Sequence, residues 1–215
     1  LREMVSIGRL LIFGNNDAPM NCPANTYKFR QDSSFLYFFA QHRDRLVGVI
    51  DADSGQEWLI GDEIDIDDIV WFGSVKSVGE LAAEAGVEHH APMAHLAELV
   101  NEALKKGRKI HFLPPYRFDT QIQIMDLLNI HPSKQKEAAS LPLIQAVVKL
   151  RSVKSLEEIE ELERAATIGH KMHTTAMRLC RPGVTEQYIG GQIDGIAASY
   201  GCIVSFQSIV TMHGE

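Results

Sequence analysis

His170 and His173 stand three residues apart in a stretch whose apolar residues recur at helical spacing. Both imidazoles can therefore share one helix face, an arrangement that can hold a divalent metal. No acidic residue at suitable local spacing supplies a third ligand, so the pair reads as surface. His89, His90 and His95 straddle Ala91-Pro92-Met93 at the entrance to a helix and read the same way. Asp62, Glu63, Asp65, Asp67 and Asp68 suggest calcium. However, Ile64 and Ile66 interleave the acids, and neither the glycine that a calcium loop needs at its sharp turn nor its closing glutamate is present. A solvated turn is expected. His213 reads as a loop residue, and Cys180 and Cys202 as packed thiols near helix ends with nothing nearby to lower their pKa. Arg30 and Asp32, beside an aromatic run, are expected to form a charge pair that fixes a strand's entry. Trp71 reads as a core or domain-interface tryptophan.

The elements that must position these residues follow from composition and periodicity. The chain has 215 residues and is 45% hydrophobic, enough for one complete domain plus part of another. A net charge of −7 excludes a sequence-independent grip on phosphate backbones, so no nucleic-acid partner is expected. Three widely spaced cysteines without a CxxC give neither a disulfide framework nor a zinc knuckle, and a reduced cytoplasm fits them. No apolar run is long enough to span a bilayer, and Leu1-Arg2-Glu3 lacks the features of a signal peptide, so no membrane partner is expected. The missing initiator Met reads as a trimmed N-terminus.

Strands are expected at residues 10–13, 35–39, 45–50, 57–60, 69–72 and 109–113, with a hairpin turn over 51–55. Aromatic density decides 35–39 in favour of a strand. Ser77 and Glu80 form a capping box before a short helix that Gly86 ends, and 92–106 is amphipathic with Gly107 beyond it. Asp119 or Thr120 caps a helix that Asn129 stops, and Ser140 starts another. Strands first and helix–strand alternation later give an α/β domain with a mixed sheet over residues 1–148. From 149 the pattern changes. Ser155 and Glu158 form a second capping box, and Ile159, Leu162, Ala166, Gly169, Met172 and Ala176 make an apolar stripe that Arg181-Pro182-Gly183 ends. Thr185 caps a helix over 186–200, and 203–210 reads as a strand. One strand and two helices leave backbone groups without a ladder partner, so residues 149–215 read as a unit either truncated or completed by another chain.

Phe29-Arg30-Gln31-Asp32-Ser33-Ser34-Phe35-Leu36-Tyr37, Trp71-Phe72-Gly73, His111-Phe112-Leu113-Pro114-Pro115, the Arg151 to Glu158 junction, Pro182 to Glu186 and Ser205 to Val210 occur in this order. The ordered set resembles the Xaa-Pro aminopeptidase branch of the creatinase and prolidase family. The resemblance implies a creatinase-type N-terminal domain with a mixed sheet and flanking helices, followed by a truncated α+β pita-bread segment. It implies a full-length enzyme that cleaves peptides carrying proline at the second position, with two divalent metal ions, manganese, held by two Asp, one His and two Glu. Those ligands follow the S-F-x-S-I-V segment in the family, so no metal ligand, metal or catalytic residue is expected in this chain. A homodimer is implied as well. In oligomeric members the tryptophan of W-F-G approaches the neighbouring subunit's substrate pocket, which marks Trp71 as a substrate-binding residue. The chain's own role is then structural. The alternative is a non-catalytic relative acting as a peptide- or protein-binding module. A metal-free creatinase-type hydrolase fits the landmarks less well.

Overall fold

The protein is described by a computed structural model covering residues 1–65, 69–71, 73–212 and 214. It divides into two compact units, Leu1–Ser152 and Val153–Glu215. The first unit is built on a five-stranded mixed sheet. Its strands are β1 (Arg9–Phe13), β4 (Val47–Asp51), β5 (Glu57–Ile60), β6 (His89–Ala91) and β7 (Ile110–Phe112), in the order β6-β5-β4-β1-β7. β1 pairs antiparallel with β4 and parallel with β7, while β5 pairs antiparallel with β4 and parallel with β6. A separate ribbon joins β2 (Pro19–Cys22) to β3 (Asn25–Thr26), where sequence reasoning expects only a loop.

Alternation along the strands sorts apolar side chains onto two faces. Leu10, Ile12, Leu46, Ile50 and Leu59 belong to one buried cluster. Leu11, Val47, Val49 and Ile60 belong to the other. The first face packs against α1 (Ser33–Phe39), α2 (Val78–Glu84) and α6 (Leu141–Ser152), through Phe35, Phe39, Val78, Leu81, Leu143 and Val147. The second packs against α3 (Ala94–Lys105) through Leu96, Leu99 and Val100. α4 (Phe118–Leu128) and α5 (Pro132–Ala138) complete the unit. Burial on both faces explains why β1 reads as a continuous apolar run.

The expected strand at 35–39 is the helix α1. The Asp32 carboxylate accepts the N–H groups of Ser34 and Phe35 at 2.8 and 2.9 Å, an N-cap that strand geometry cannot use. Phe35 and Phe39, one turn apart, are then both buried and stacked at 5.3 Å, while Leu36 and Tyr37 face solvent. Local capping and an i,i+4 apolar pair therefore outweigh aromatic β-propensity. Asp32 is the N-cap of α1, so the entry it fixes is that of a helix and not of a strand.

Residues 69–71 are also helical rather than extended, and the Gly73 N–H donates to the Ile69 carbonyl at 2.9 Å. Phe72 lies outside the described residues. α4 begins one residue before Asp119, with Arg117 at the N-cap position and no side-chain cap. Asn129 is left-handed at φ 54° as expected. α5 has no counterpart among the sequence expectations.

In the second unit, α7 (Leu156–Leu179) carries the expected Ser155–Glu158 capping box, and Thr185 accepts the Tyr188 N–H to cap α8 (Glu186–Ser199). The expected strand at 203–210 is not formed. An extended segment without a ladder partner gains nothing from strand geometry. The Ser208 hydroxyl instead donates to Asp194, and the Met212 N–H to Glu186. Among the described residues, no helix is long and apolar enough to cross a membrane.

His111 locks the first unit's N-terminal segment to α6. Its Nε2 lies 3.0 Å from the Ile7 carbonyl and its Nδ1 2.6 Å from the Ser140 hydroxyl. A carbonyl only accepts, so Nε2 carries the proton, and the neutral ring's Nδ1 accepts from Ser140. Burial pushes the imidazole below its ordinary value of 6.5, helped by Lys109 and opposed by the Ile7 bond.

Two predictions follow from this packing. A Cβ on Gly48 would overlap the Phe39 ring, so Gly48→Ala should cost about 2–3 kcal/mol of unfolding free energy in urea titration. A loss near zero would show that the ring yields. His111 binds its proton more weakly in the folded than in the unfolded chain. Its contribution to stability is therefore complete above about pH 6.5 and declines as pH falls below that value. The urea midpoint should drop across this acid window in the wild type, and His111→Gln should flatten that part of the slope.

Candidate functional site

The F-R-Q-D-S segment forms one wall of a cleft, and its polar residues are consumed in building that wall. Gln31 is buried. Its Oε1 accepts the N–H groups of Asn15 and Asp32 at 2.7 and 2.8 Å, and its Nε2 donates to the Arg43 carbonyl at 2.7 Å. One side chain thus satisfies three backbone groups from separate segments. Asn15 follows β1 at the turn begun by Gly14. It donates to the Arg30 carbonyl at 2.9 Å and to the Tyr116 hydroxyl at 3.1 Å. The Tyr116 hydroxyl in turn reaches the Asp32 carboxylate at 3.1 Å. Burial of that hydroxyl pushes the phenol above its ordinary pKa; the Asn15 bond opposes this and the Asp32 charge adds to it. Tyr116 therefore stays protonated and acts as a donor.

At the end of α6, Arg151 donates to Ser34 Oγ at 3.1 Å, and its guanidinium lies 5.8 Å from the Tyr37 ring centroid. Arg117 donates to the Asn16 carbonyl at 2.8 Å and pairs with Asp119 at 3.2 Å. These groups enclose a cleft of about 590 Å³. Its arrangement can bind through hydrogen bonds and positive charge.

A second polar centre lies on the other face of the sheet. Arg9 and Arg108 both bond the buried Asp51 carboxylate, at 2.7 Å from Arg9 Nη2 to Oδ2 and 2.6 Å from Arg108 Nη2 to Oδ1. Arg108 also meets Asp53, and Arg9 also donates to the Leu99 carbonyl. Burial alone would raise the Asp51 carboxyl. Arg108, the Ser54 N–H and Arg9 outweigh that and hold it far below the usual carboxylate range.

The residues singled out in the sequence do not converge. Trp71 is 82% exposed on its helical turn. His170 and His173 are exposed along α7. His89 stacks on Trp58 at 4.7 Å between centroids, His95 approaches the same ring at 5.3 Å, and His95 Nδ1 lies 2.7 Å from Glu98. These contacts brace β5, β6 and α3. The acidic stretch is more than a solvated turn: Asp62 accepts the Met93 N–H at 2.8 Å, and Glu63 accepts the Val78 N–H at 3.0 Å, each at the start of a helix. Asp67, Asp68 and His213 lie outside the described residues. Cys180 is exposed and Cys202 half-buried, so neither is a packed thiol. Among the described residues, no three His, Cys, Asp or Glu side chains group closely enough to hold a metal.

Sequence reasoning missed Asn15, Tyr116 and the Asp51 network. An arginine opening an apolar strand and a D-x-D before a hairpin turn were available signals for the last. Nothing local links Asn15 to Tyr116, which lie 101 residues apart.

Comparison with known proteins agrees with this architecture. Residues 1–111 match the family model described as aminopeptidase P, N-terminal domain. The chain is 29% identical to Xaa-Pro aminopeptidase of Escherichia coli K12 over 177 residues, covering 78% of this chain and 40% of that protein. The aminopeptidase PepP of Pseudomonas aeruginosa superposes with a TM-score of 0.71 at 21% identity, over 93% of this chain and 48% of that one. Zinc-substituted E. coli aminopeptidase P in complex with product gives 0.69 at 24%, over 90% and 46%. The chain thus spans less than half the length of each of these relatives. The match over more than half of its residues places this chain in the aminopeptidase P family, through that family's N-terminal domain.

Proposed function

We propose that this chain is the N-terminal domain, residues 1–148, and the entry to the catalytic domain, residues 149–215, of a metal-dependent Xaa-Pro aminopeptidase. The observation that carries this reading is the extent of the likeness: it covers the family's N-terminal domain and, over 177 residues, runs beyond it. The bond before proline is a tertiary amide that offers no N–H for recognition. Selection for a free N-terminus must therefore come from the shape of the cleft, and a separate domain that walls it supplies that shape. Peptides with proline second are the proposed substrates. Two divalent ions, manganese, are the proposed cofactors of the longer protein, and the zinc-substituted relative supports metal dependence. The role proposed for these 215 residues is architectural.

The proposal extends to a cytoplasmic homodimer in which Trp71 reaches the neighbouring subunit's substrate pocket. Its support is the exposure of Trp71 at 82% beside Val70 at 75%, an apolar pair that gains free energy when covered. Free Cys22, Cys180 and Cys202 suit a reducing compartment.

The 215-residue chain, assayed with manganese on an X-Pro peptide, should release no N-terminal residue above a metal-free control. Metal-dependent release would overturn the architectural role. In the full-length enzyme, Trp71→Ala should raise KM about tenfold with kcat retained and leave the thermal midpoint unchanged, because the ring is packed against little of its own subunit. An unaltered KM would remove Trp71 from substrate binding.

A further inference from the structure

The cleft beside the F-R-Q-D-S segment carries a charge opposite to that of the molecule. Lys28, Arg30, Arg117 and Arg151 line it, against one carboxylate among the described residues, Asp32, in a chain of net charge −7. That carboxylate is already committed: Oδ1 accepts two α1 N–H groups and Oδ2 the Tyr116 hydroxyl. The contrast with the other face of the sheet is informative. There the buried Arg9 and the half-buried Arg108 are matched by Asp51 and Asp53. In the cleft Arg117 has such a match, in Asp119. Among the described residues, neither Lys28 nor Arg151 lies within ion-pair distance of a carboxylate.

Arg151 is nevertheless held in place, by Ser34 through one nitrogen and by the Tyr37 ring, which leaves the rest of its planar donor fork available. The opposite wall is fixed by the Gln31, Asn15 and Tyr116 bonds, so little ordering remains to oppose a ligand. At about 590 Å³ the cleft matches small-molecule sites in size. Tyr27 and Tyr116 leave ring surface exposed at its edge.

We infer that this cleft is a binding site for a small molecule bearing an oxyanion, a carboxylate or a phosphate, with Arg151 and Lys28 as its principal charged contacts. The inference does not depend on the peptidase reading. Pyrophosphate and citrate share the required chemistry and separate its two sources. Each is titrated calorimetrically into the whole chain against sodium chloride at matched ionic strength, with the thermal midpoint followed in parallel. Saturable binding of at least one is expected, and the tighter of the two identifies the source. Arg151→Gln and Lys28→Gln should each weaken it about tenfold. Arg151→Gln also removes the Ser34 bond and the Tyr37 contact, so the exposed Lys28→Gln keeps the test decisive if the former fails to fold. A response that does not saturate and is matched by sodium chloride, or equal binding by wild type and Lys28→Gln, would overturn the inference.

Discussion

Two guanidinium groups close on one buried carboxylate at Asp51, and most of the sheet's geometry depends on that junction. The Asp51 side chain is 3% exposed and that of Arg9 6%. Taking such charges out of water costs several kcal/mol per ion unless partners and hydrogen bonds compensate. Compensation here is extensive. Arg9 and Arg108 approach the carboxylate from separate segments, and the Asp53 and Ser54 N–H groups add to Oδ1 at 3.1 and 3.0 Å. The junction therefore fixes the β1–β4 register at the Arg9–Asp51 pair, shapes the hairpin turn, and through the Leu99 carbonyl seats α3. Removing one partner would leave a buried charge uncompensated, at about 3–5 kcal/mol. The network is better evidence for specificity of register than for net stability, because an apolar substitute could stabilise as much without choosing a register.

Register matters because one residue's slip would exchange the two faces of the sheet. With Arg9 opposite Asp51, Ile12 falls opposite Gly48, and the Phe39 ring occupies the space a side chain would take. That close approach lets α1 lie low on the sheet. Its N-terminus then sits where Asp32 can meet Tyr116 and Ser34 can meet Arg151. The basic cleft on one face is thus positioned partly by the ion pair on the other.

The parts of this fold legible in the sequence are those decided locally. Both capping boxes, at Ser77 and Ser155, the left-handed stop at Asn129 and the hairpin after Asp51 each need only a few adjacent residues, and each forms as the sequence indicates. The α1 segment departs from the expected strand because five consecutive large apolar residues fit a strand by propensity and a helix by the spacing of Phe35 and Phe39. The segment at 203–210 has strand composition but no neighbour to pair with. The cleft was illegible for a different reason: Asn15, Asp32, Tyr116 and Arg151 come from four distant stretches, and only the sheet brings them together.

The F-R-Q-D-S-x-F-x-Y motif shows why a family signature can be strong without carrying chemistry. Gln31 ties off three backbone groups, Asp32 caps α1, Phe35 fills the core, and Tyr37 reaches the Leu150 carbonyl at 3.3 Å. Each position answers a separate steric or hydrogen-bonding demand of the same few turns of chain. Substituting Gln31 would orphan buried donors and acceptors, and substituting Phe35 would open a cavity. A segment constrained at so many points is recognisable from residue types alone. What it certifies is the local structure that satisfies those demands. An activity rests on groups that touch a ligand, and around this cleft those groups, Lys28 and Arg151, are the ones the fold leaves without a carboxylate among the described residues.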